Sequence, residues 1–389
     1  MFSTTGNKMK ETVLINKHKS LNGKMASFNG YNMPLWYKSA KNEHLSVLKD
    51  VGIFDTSHMS FFTIEGGEVS ELLDLSFSRV LDHLKVNHLI YGLFLDDKNF
   101  VIDDSVIYKF SENKFFVIVN CGMDEIVINH LKSFDLYRCK IVNYSHRLAK
   151  IDVQGPKSLK LLENYMGEEL FNNFGYFTFK GSFDNGNILI SRSGYTGEFG
   201  FELYVESDKA PKLWDTLLEL GSDLGITPCG LASRDSLRTG AGLPLSHQDI
   251  GPWPFGNTPW DFCVENRFLN SPFYTYSYVG YDVRKLHEST KGDVLFNKSI
   301  IGRVLTCVTE VSITRIDEEI LSITSDNLPR DYSVKGLVSG FIRVNIPLEY
   351  GDIVILNDGK RELKVQIVKN IRPNRTARLS INRIRREYE

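Results

Sequence analysis

The chain has 389 residues, 42% hydrophobic and 24% charged, with a formal net charge of −2. That length exceeds one ordinary hydrophobic core and predicts two or three domains. The near-zero charge offers no global field for nucleic acid or a membrane surface, and the five cysteines, odd in number and without a C-x-x-C pair, argue against a disulfide framework or a zinc site.

Met1 to Lys10 is polar and carries no apolar signal core. No run approaches the roughly 18 apolar residues that a membrane helix needs. The expectation is a cytoplasmic protein in a reducing compartment, with no membrane or nucleic-acid partner. Residues 42–51 read as a short amphipathic helix that Gly52 ends. Short runs rich in β-branched and aromatic residues predict strands at 61–64, 89–95, 105–108 and 114–119, with helices at 68–75 and 124–133. A second mixed block starts near 144. It holds a strand at 148–153, a helix opened by Gly155-Pro156 and running through Leu162, and a strand at 187–191. A helix follows at 208–220, where Leu213, Trp214, Leu217 and Leu218 recur at helical spacing. After about 285 the pattern is all-β, with strands at 301–305, 336–342 and 352–356. Asn357-Asp358-Gly359-Lys360 is a hairpin turn into a strand at 363–368, and the block predicts a small barrel or sandwich.

Between the helical and strand signals lie the residues that can carry chemistry. Gly194-Tyr195-Thr196-Gly197-Glu198-Phe199-Gly200-Phe201-Glu202 packs three glycines and two carboxylates into a turn and a strand. Gly194 and Gly197 permit a tight turn or a close ligand approach. An ionised Glu202 is acceptor-only and can pair two-pronged with the N–H groups of an aminopyrimidinone. A solvated strand carboxylate is the competing reading, and Glu198 reads as supporting the turn. Arg234-Asp235-Ser236-Leu237-Arg238 puts two guanidiniums on one helix face. They serve either a ligand carboxylate or carbonyl, or a structural ion pair with Asp235. Asp103-Asp104 sits among apolar strands, which raises a perturbed pKa and proton transfer. Strand alternation predicts that only one of the two faces a pocket. His58 has no second His or Cys at ligand spacing and reads as packed or capping. His247, beside Asp249 and the loop 251–255, lines either a pocket or an inert surface loop. The basic tail, with Arg372, Arg375, Arg378, Arg383, Arg385 and Arg386, reads as a solvated face, with phosphate or the carboxylates of a polyglutamate chain as the alternative.

Taken together these segments resemble the glycine-cleavage T-protein (aminomethyltransferase) family. The likeness runs through Met25–Pro34, Gly52–Met59, Val101–Asp104, Gln154-Gly155-Pro156, Gly194–Glu202 and Gly230–Arg238, over about 215 residues. It implies an α+β, three-domain fold around a central folate pocket: two interleaved mixed α/β domains and a C-terminal β-barrel-like domain. The corresponding divisions are 1–50 with 144–284, then 51–143, then 285–389. The resemblance implies Asp104 as the residue that orients tetrahydrofolate and tunes proton transfer. It implies folate binding by Glu202, Arg234, Tyr91, Tyr195, Asp103, Met59 and Arg378, without a metal. The activity implied is transfer of an aminomethyl or methyl-derived unit from a donor to tetrahydrofolate. The donor is either an aminomethyl group on a lipoyl carrier protein or a small methylated compound. A folate-dependent demethylase and a non-catalytic folate-binding accessory protein are the alternatives. The chain departs from the family after Arg238: Gly240 stands for a common Glu, Ser246 for a Tyr, and the segments 248–255 and 260–264 are unlike ordinary members. No G-x-G-x-x-G unit appears, which disfavours a flavin-linked oxidase.

Overall fold

The computed structural model describes residues 9–134, 138–253, 259–265, 271–288 and 292–388. A six-stranded sheet gathers distant parts of the chain. Across it run Phe179–Lys180, Leu189–Ser191, Gly200–Glu206, Leu148–Gln154, Val51–Asp55 and Ile226–Pro228. Neighbours are antiparallel except the last pair, which is parallel. Leu148–Gln154 and Val51–Asp55 are buried along their whole length. Helices Ser158–Met166 and Ala210–Leu220 pack there through Leu159, Leu162, Leu213, Trp214 and Leu217. Each such buried aliphatic side chain contributes roughly 1.5–3 kcal/mol.

The 51–55 strand moves one expected boundary. Val51 and Ile53 belong to this core rather than to the second block that was expected to start at residue 51. Nor does Gly52 end the preceding helix. That helix is Ala40–Lys49 with Asp50 as its C-cap, and Gly52 lies inside the strand. A Cβ on Gly52 would sit 2.5 Å from Val47 Cγ2. The missing side chain lets the helix pack directly onto the strand it feeds.

A five-stranded antiparallel sheet is ordered Leu89–Leu95, Val101–Ser111, Lys114–Val119, Ser60–Glu65, Lys140–Asn143. Helices Val69–Ser76 and Asp124–Lys132 bury Leu72, Leu73, Val127 and Leu131 with Phe62, Ile107 and Val117. An aromatic cluster joins the two sheets. The Tyr108 hydroxyl lies 2.9 Å from both Ser191 Oγ and the Tyr204 hydroxyl, and Phe61, Phe116, Phe179 and Phe183 pack around it.

The third unit is a closed barrel of Tyr274–Gly280, Leu337–Val344, Ser299–Glu310, Asp293–Phe296, Ile353–Asn357 and Glu362–Val368. It starts before the expected boundary at 285, because Tyr274–Gly280 pairs with two barrel strands. The chain's end leaves the barrel again. Helix Ile381–Tyr388 buries Ile381 and Ile384 in the core of the six-stranded sheet. The basic tail is therefore not one solvated face. Arg372 is 1% exposed. It lies 2.9 Å from Glu198 and 2.9 Å from Glu310, and Glu310 also meets His44 at 2.9 Å. Arg385 pairs with Glu163 at 2.6 Å. A buried ion chain thus ties the barrel to the sheet, and Glu198 does more than support its turn. Among the described residues, no helix is long and apolar enough to cross a membrane.

Candidate active site

The two neighbouring acids lie on the longest strand of the five-stranded sheet. Asp103 is fully buried and Asp104 partly so. The Asp103 carboxylate accepts hydrogen bonds from the Asn120 backbone N–H, the Asn120 side-chain amide and the Ser246 hydroxyl, each at 2.8 Å. Asp104 accepts from the Tyr91 hydroxyl at 2.7 Å and from the same Asn120 amide at 2.5 Å. Strand alternation would have sent the two side chains apart. The register slips between Phe94 and Leu95, leaving Ile102 as an extra residue just before the pair, while Asp103 and Asp104 stay in register opposite Phe94 and Leu93. Both carboxylates are nonetheless reached by one donor, the Asn120 side-chain amide at the end of the neighbouring strand. Burial, then the Asp104 charge, push Asp103 up to about 7. Burial also raises Asp104, and the bonds from Tyr91 and Asn120 and the charge of His247 offset this only in part. Two carboxyl groups this close cannot both ionise freely, so the pair holds a shared proton near neutral pH.

A second cluster sits on the six-stranded sheet. Glu202 and Asp152 are directly opposite each other on adjacent strands, where like charges repel. Lys150, 4% exposed, resolves the conflict by donating to Asp152 at 2.7 Å and to Glu202 at 2.5 Å. Arg234 donates to the far oxygen of Asp152 at 2.7 Å. Burial pushes the Asp152 carboxyl up, but Lys150 and Arg234 outweigh it and hold the group below its ordinary range. Ser193 donates to the other Glu202 oxygen at 2.6 Å. The Arg234 guanidinium stacks over Tyr195, 5.2 Å from the ring centroid, and 5.7 Å from that of Phe54. Tyr195 links the clusters, since burial first and then the charges of Arg238, Asp104, Asp249 and Arg234 act on its hydroxyl, which ends well above its ordinary value. His58 lies in the same field. It is packed, as expected, edge-on to Phe28 at 5.4 Å, and its Nδ1 is buried without a hydrogen-bond partner. Burial, with Arg234 and Lys150 beside it, lowers it to about 4, against the opposing pull of Asp55 and Asp152, so the ring is neutral.

The divergent loop is built into the site rather than left on the surface. Asp249, 1% exposed, pairs with Arg238 and accepts from Thr306 Oγ1 at 2.6 Å. This holds Ser246 against Asp103 and leaves His247 exposed, with a left-handed φ of 62°. Residues 254–255 of the loop lie outside the described residues. The exchange of a Glu for Gly240 also finds its reason. A Cβ there would lie 1.9 Å from Glu310 Oε2. A barrel strand supplies a carboxylate where the helix leaves room for it.

The site residues expected from the sequence fall into three groups. Asp103, Asp104 and Tyr91 meet at Asn120, while Glu202, Arg234 and Tyr195 meet around Asp152. Met59 and Arg378 are not brought to either centre. Met59 packs on the Tyr108–Tyr204 aromatic cluster, and Arg378 is exposed with its guanidinium 5.6 Å from the Tyr176 ring. Sequence reasoning missed Asn120, Lys150, Asp152 and Ser193. Lys150 and Asp152 did leave a signal: opposite charges two apart in an otherwise apolar strand share a face. Among the described residues, no cluster of three or more His, Cys, Asp or Glu is arranged to hold a metal ion.

The GCVT N-terminal domain family matches residues 14–253. An aminomethyltransferase of Halothermothrix orenii is 38% identical over 246 residues, 62% of this chain and 68% of that protein. An aminomethyltransferase of Staphylococcus saprophyticus is 31% identical over 375 residues, 93% of this chain and 98% of that protein. The crystal structure of glycine cleavage system aminomethyltransferase T from Bartonella henselae shares the fold, with a TM-score of 0.77 over 93% of this chain and 97% of that one, at 22% identity. The chain belongs to the glycine cleavage T-protein family.

Proposed function

We propose that this chain is a tetrahydrofolate-dependent one-carbon transferase of the aminomethyltransferase type. The observation that carries the reading is the Asp103–Asp104 pair, two carboxylates on one amide with Asp103 raised to about 7. A group poised near the working pH is what proton transfer at a reacting nitrogen needs. The two relatives named aminomethyltransferase support the same class of reaction.

Three features fit a flat, amide-rich ring. Glu202 uses one oxygen on Lys150 and one on Ser193, and a carboxylate retains further lone pairs beyond those two. His58 Nδ1 is an orphaned buried polar atom in the same field. Arg234 and Tyr195 form a stacked wall. When bound, tetrahydrofolate supplies the nitrogens that accept the one-carbon unit. Glu202 holds the ring's N–H groups, with Lys150 and Asp152 fixing its rotamer. Asp104 takes up a proton at its carboxylate, Asp103 retains the shared one, and Tyr91 and Asn120 keep both acids in place. In this reading Met59 backs the Tyr108–Tyr204 cluster, whose Tyr204 hydroxyl lies 3.5 Å from Glu202, and Arg378 lies at the outer rim, toward a folate tail.

A second reading concerns the donor. Ser246 and its loop reach Asp103 directly, and this segment is where the chain departs from ordinary members. A small methylated compound therefore stands beside the lipoyl-borne aminomethyl group as donor. A panel of an aminomethyl-lipoyl carrier protein, methylated sulfonium compounds, methylamines and aryl methyl ethers, each with tetrahydrofolate, tests both. Turnover with any of them that is lost in Asp104→Asn supports a transferase. Tight tetrahydrofolate binding with no turnover on the whole panel would instead make the chain an accessory binder.

A further inference from the structure

Beside the acid pair, the loop 245–250 and two barrel strands enclose a cleft of about 380 Å³ lined by His247, Gln248, Arg303, Val304, Leu305 and Arg343. Arg303 and Arg343 are directly opposite each other on adjacent antiparallel strands, where like charges destabilise a sheet. The six-stranded sheet contains the mirror-image conflict, Asp152 opposite Glu202, and places Lys150 between them. The barrel places one carboxylate beside the pair, Asp293, directly opposite Arg303 on the neighbouring strand. Among the described residues neither guanidinium forms an ion pair or a hydrogen bond with it, and Arg343 has no carboxylate opposite it. Arg343 is instead held by rings, 4.9 Å from the Phe273 centroid and 5.3 Å from that of Trp253. Such stacking fixes the plane of a guanidinium and leaves its N–H fork free for an anion.

The far wall joins the cleft to the chemistry. His247 Nδ1 lies 3.1 Å from Ser246 Oγ, which donates to Asp103. Gln248 is tied to Thr306 at 2.7 Å, so the wall is fixed to the barrel. An anionic group seated on the two guanidiniums would extend the rest of its molecule along His247 toward Asp103.

Building on the reading of the chain as a one-carbon transferase, we propose that the Arg303–Arg343 cleft binds the carboxylate or sulfonate of a small anionic donor. The like-charge pair, which Asp293 flanks on the Arg303 side alone, is thereby bridged by substrate. A carboxylate could also come from the glutamate tail of the folate, and the test separates the two sources.

The first arm measures binding of 3,3,3-trifluoropropionate and its neutral amide to the full chain by fluorine NMR. The acid should bind at least tenfold more tightly than the amide. Arg303→Gln and Arg343→Gln should each weaken the acid at least tenfold, and Arg303→Lys, which keeps the charge but not the fork, should fall between. Because Arg303 is exposed, its variants keep the test meaningful if the Arg343 variant does not fold. Equal binding of acid and amide, or no effect of Arg303→Gln, overturns the proposal. The second arm compares tetrahydrofolate carrying one and three glutamates by calorimetry. Arg303→Gln should leave both affinities within about twofold. Selective loss of the triglutamate form would assign the cleft to the folate tail and overturn the donor assignment. If the wild-type chain binds trifluoropropionate selectively yet binds neither folate, the acceptor reading falls while the anion site stands.

Discussion

Replacing Asp103 with Asn tests the raised acid directly. Asp103 rises from 3.8 to about 7 in the folded chain. A carboxyl raised on folding favours the folded state below its unfolded pKa, and that advantage is lost as pH rises through the folded value. The rise corresponds to about 4 kcal/mol. With an unfolded pKa near 4, about 2–3 kcal/mol of this is lost between pH 5 and pH 8. Asp103→Asn cannot ionise and lacks this loss. Its altered hydrogen bonds to Asn120 and Ser246 add an offset with little pH dependence, which cancels when the two pH values are compared. The buried acids away from the pair titrate alike in both proteins and cancel as well. Urea unfolding of wild type and variant from pH 5 to pH 8 should therefore diverge, with the variant gaining on the wild type by about 2–3 kcal/mol as pH rises. Curves that stay parallel within about 0.5 kcal/mol would show that folding does not raise Asp103, and the case for a poised acid at Asn120 would fail.

Four further outcomes follow from the same contacts. Asp104→Asn should lower kcat with any active donor by about 10²–10⁴-fold and change tetrahydrofolate affinity little; full turnover in the variant would remove Asp104 from the chemistry. Glu202→Gln keeps the shape that Ser193 contacts but loses the charge, and should weaken tetrahydrofolate by roughly 1.5–3 kcal/mol in calorimetry; unchanged affinity would break the ring assignment. Arg372→Met leaves Glu198 and Glu310 buried without their shared cation and should destabilise the fold by about 3–5 kcal/mol, whereas Gly240→Glu should destabilise it through collision with the same Glu310 carboxylate. If thermal unfolding shows either variant to be as stable as wild type, the ion chain does not hold the barrel to the sheet.

What the sequence could reveal depended on whether the signal was local. The strand at 89–95 and the helix signal at 208–220 were readable because their periodicity is carried within each segment, and the structure has them at Leu89–Leu95 and Ala210–Leu220. Gly194–Glu202 was readable for the same reason. Its partners were not, because they are set by pairing across the sheet. Lys150 matters only because Glu202 is opposite Asp152, and that register is a tertiary fact. Asn120 lies 16 residues beyond Asp104 and meets it only because strand pairing sets the end of Lys114–Val119 beside the acids. The tail misled because six arginines in sequence look like one charged face, while in space Arg372 enters the core and Arg378 stays outside. Charge conflict is the common thread through these failures. Wherever two like charges are opposed in a sheet, something must neutralise them. Lys150 does so for Asp152 and Glu202, and the buried carboxylates Glu198 and Glu310, brought together from a loop and a barrel strand, likewise share Arg372. Arg303 and Arg343 are a cross-strand pair that Asp293 flanks on one side without forming an ion pair, which leaves the fork between the two guanidiniums open to an anionic ligand.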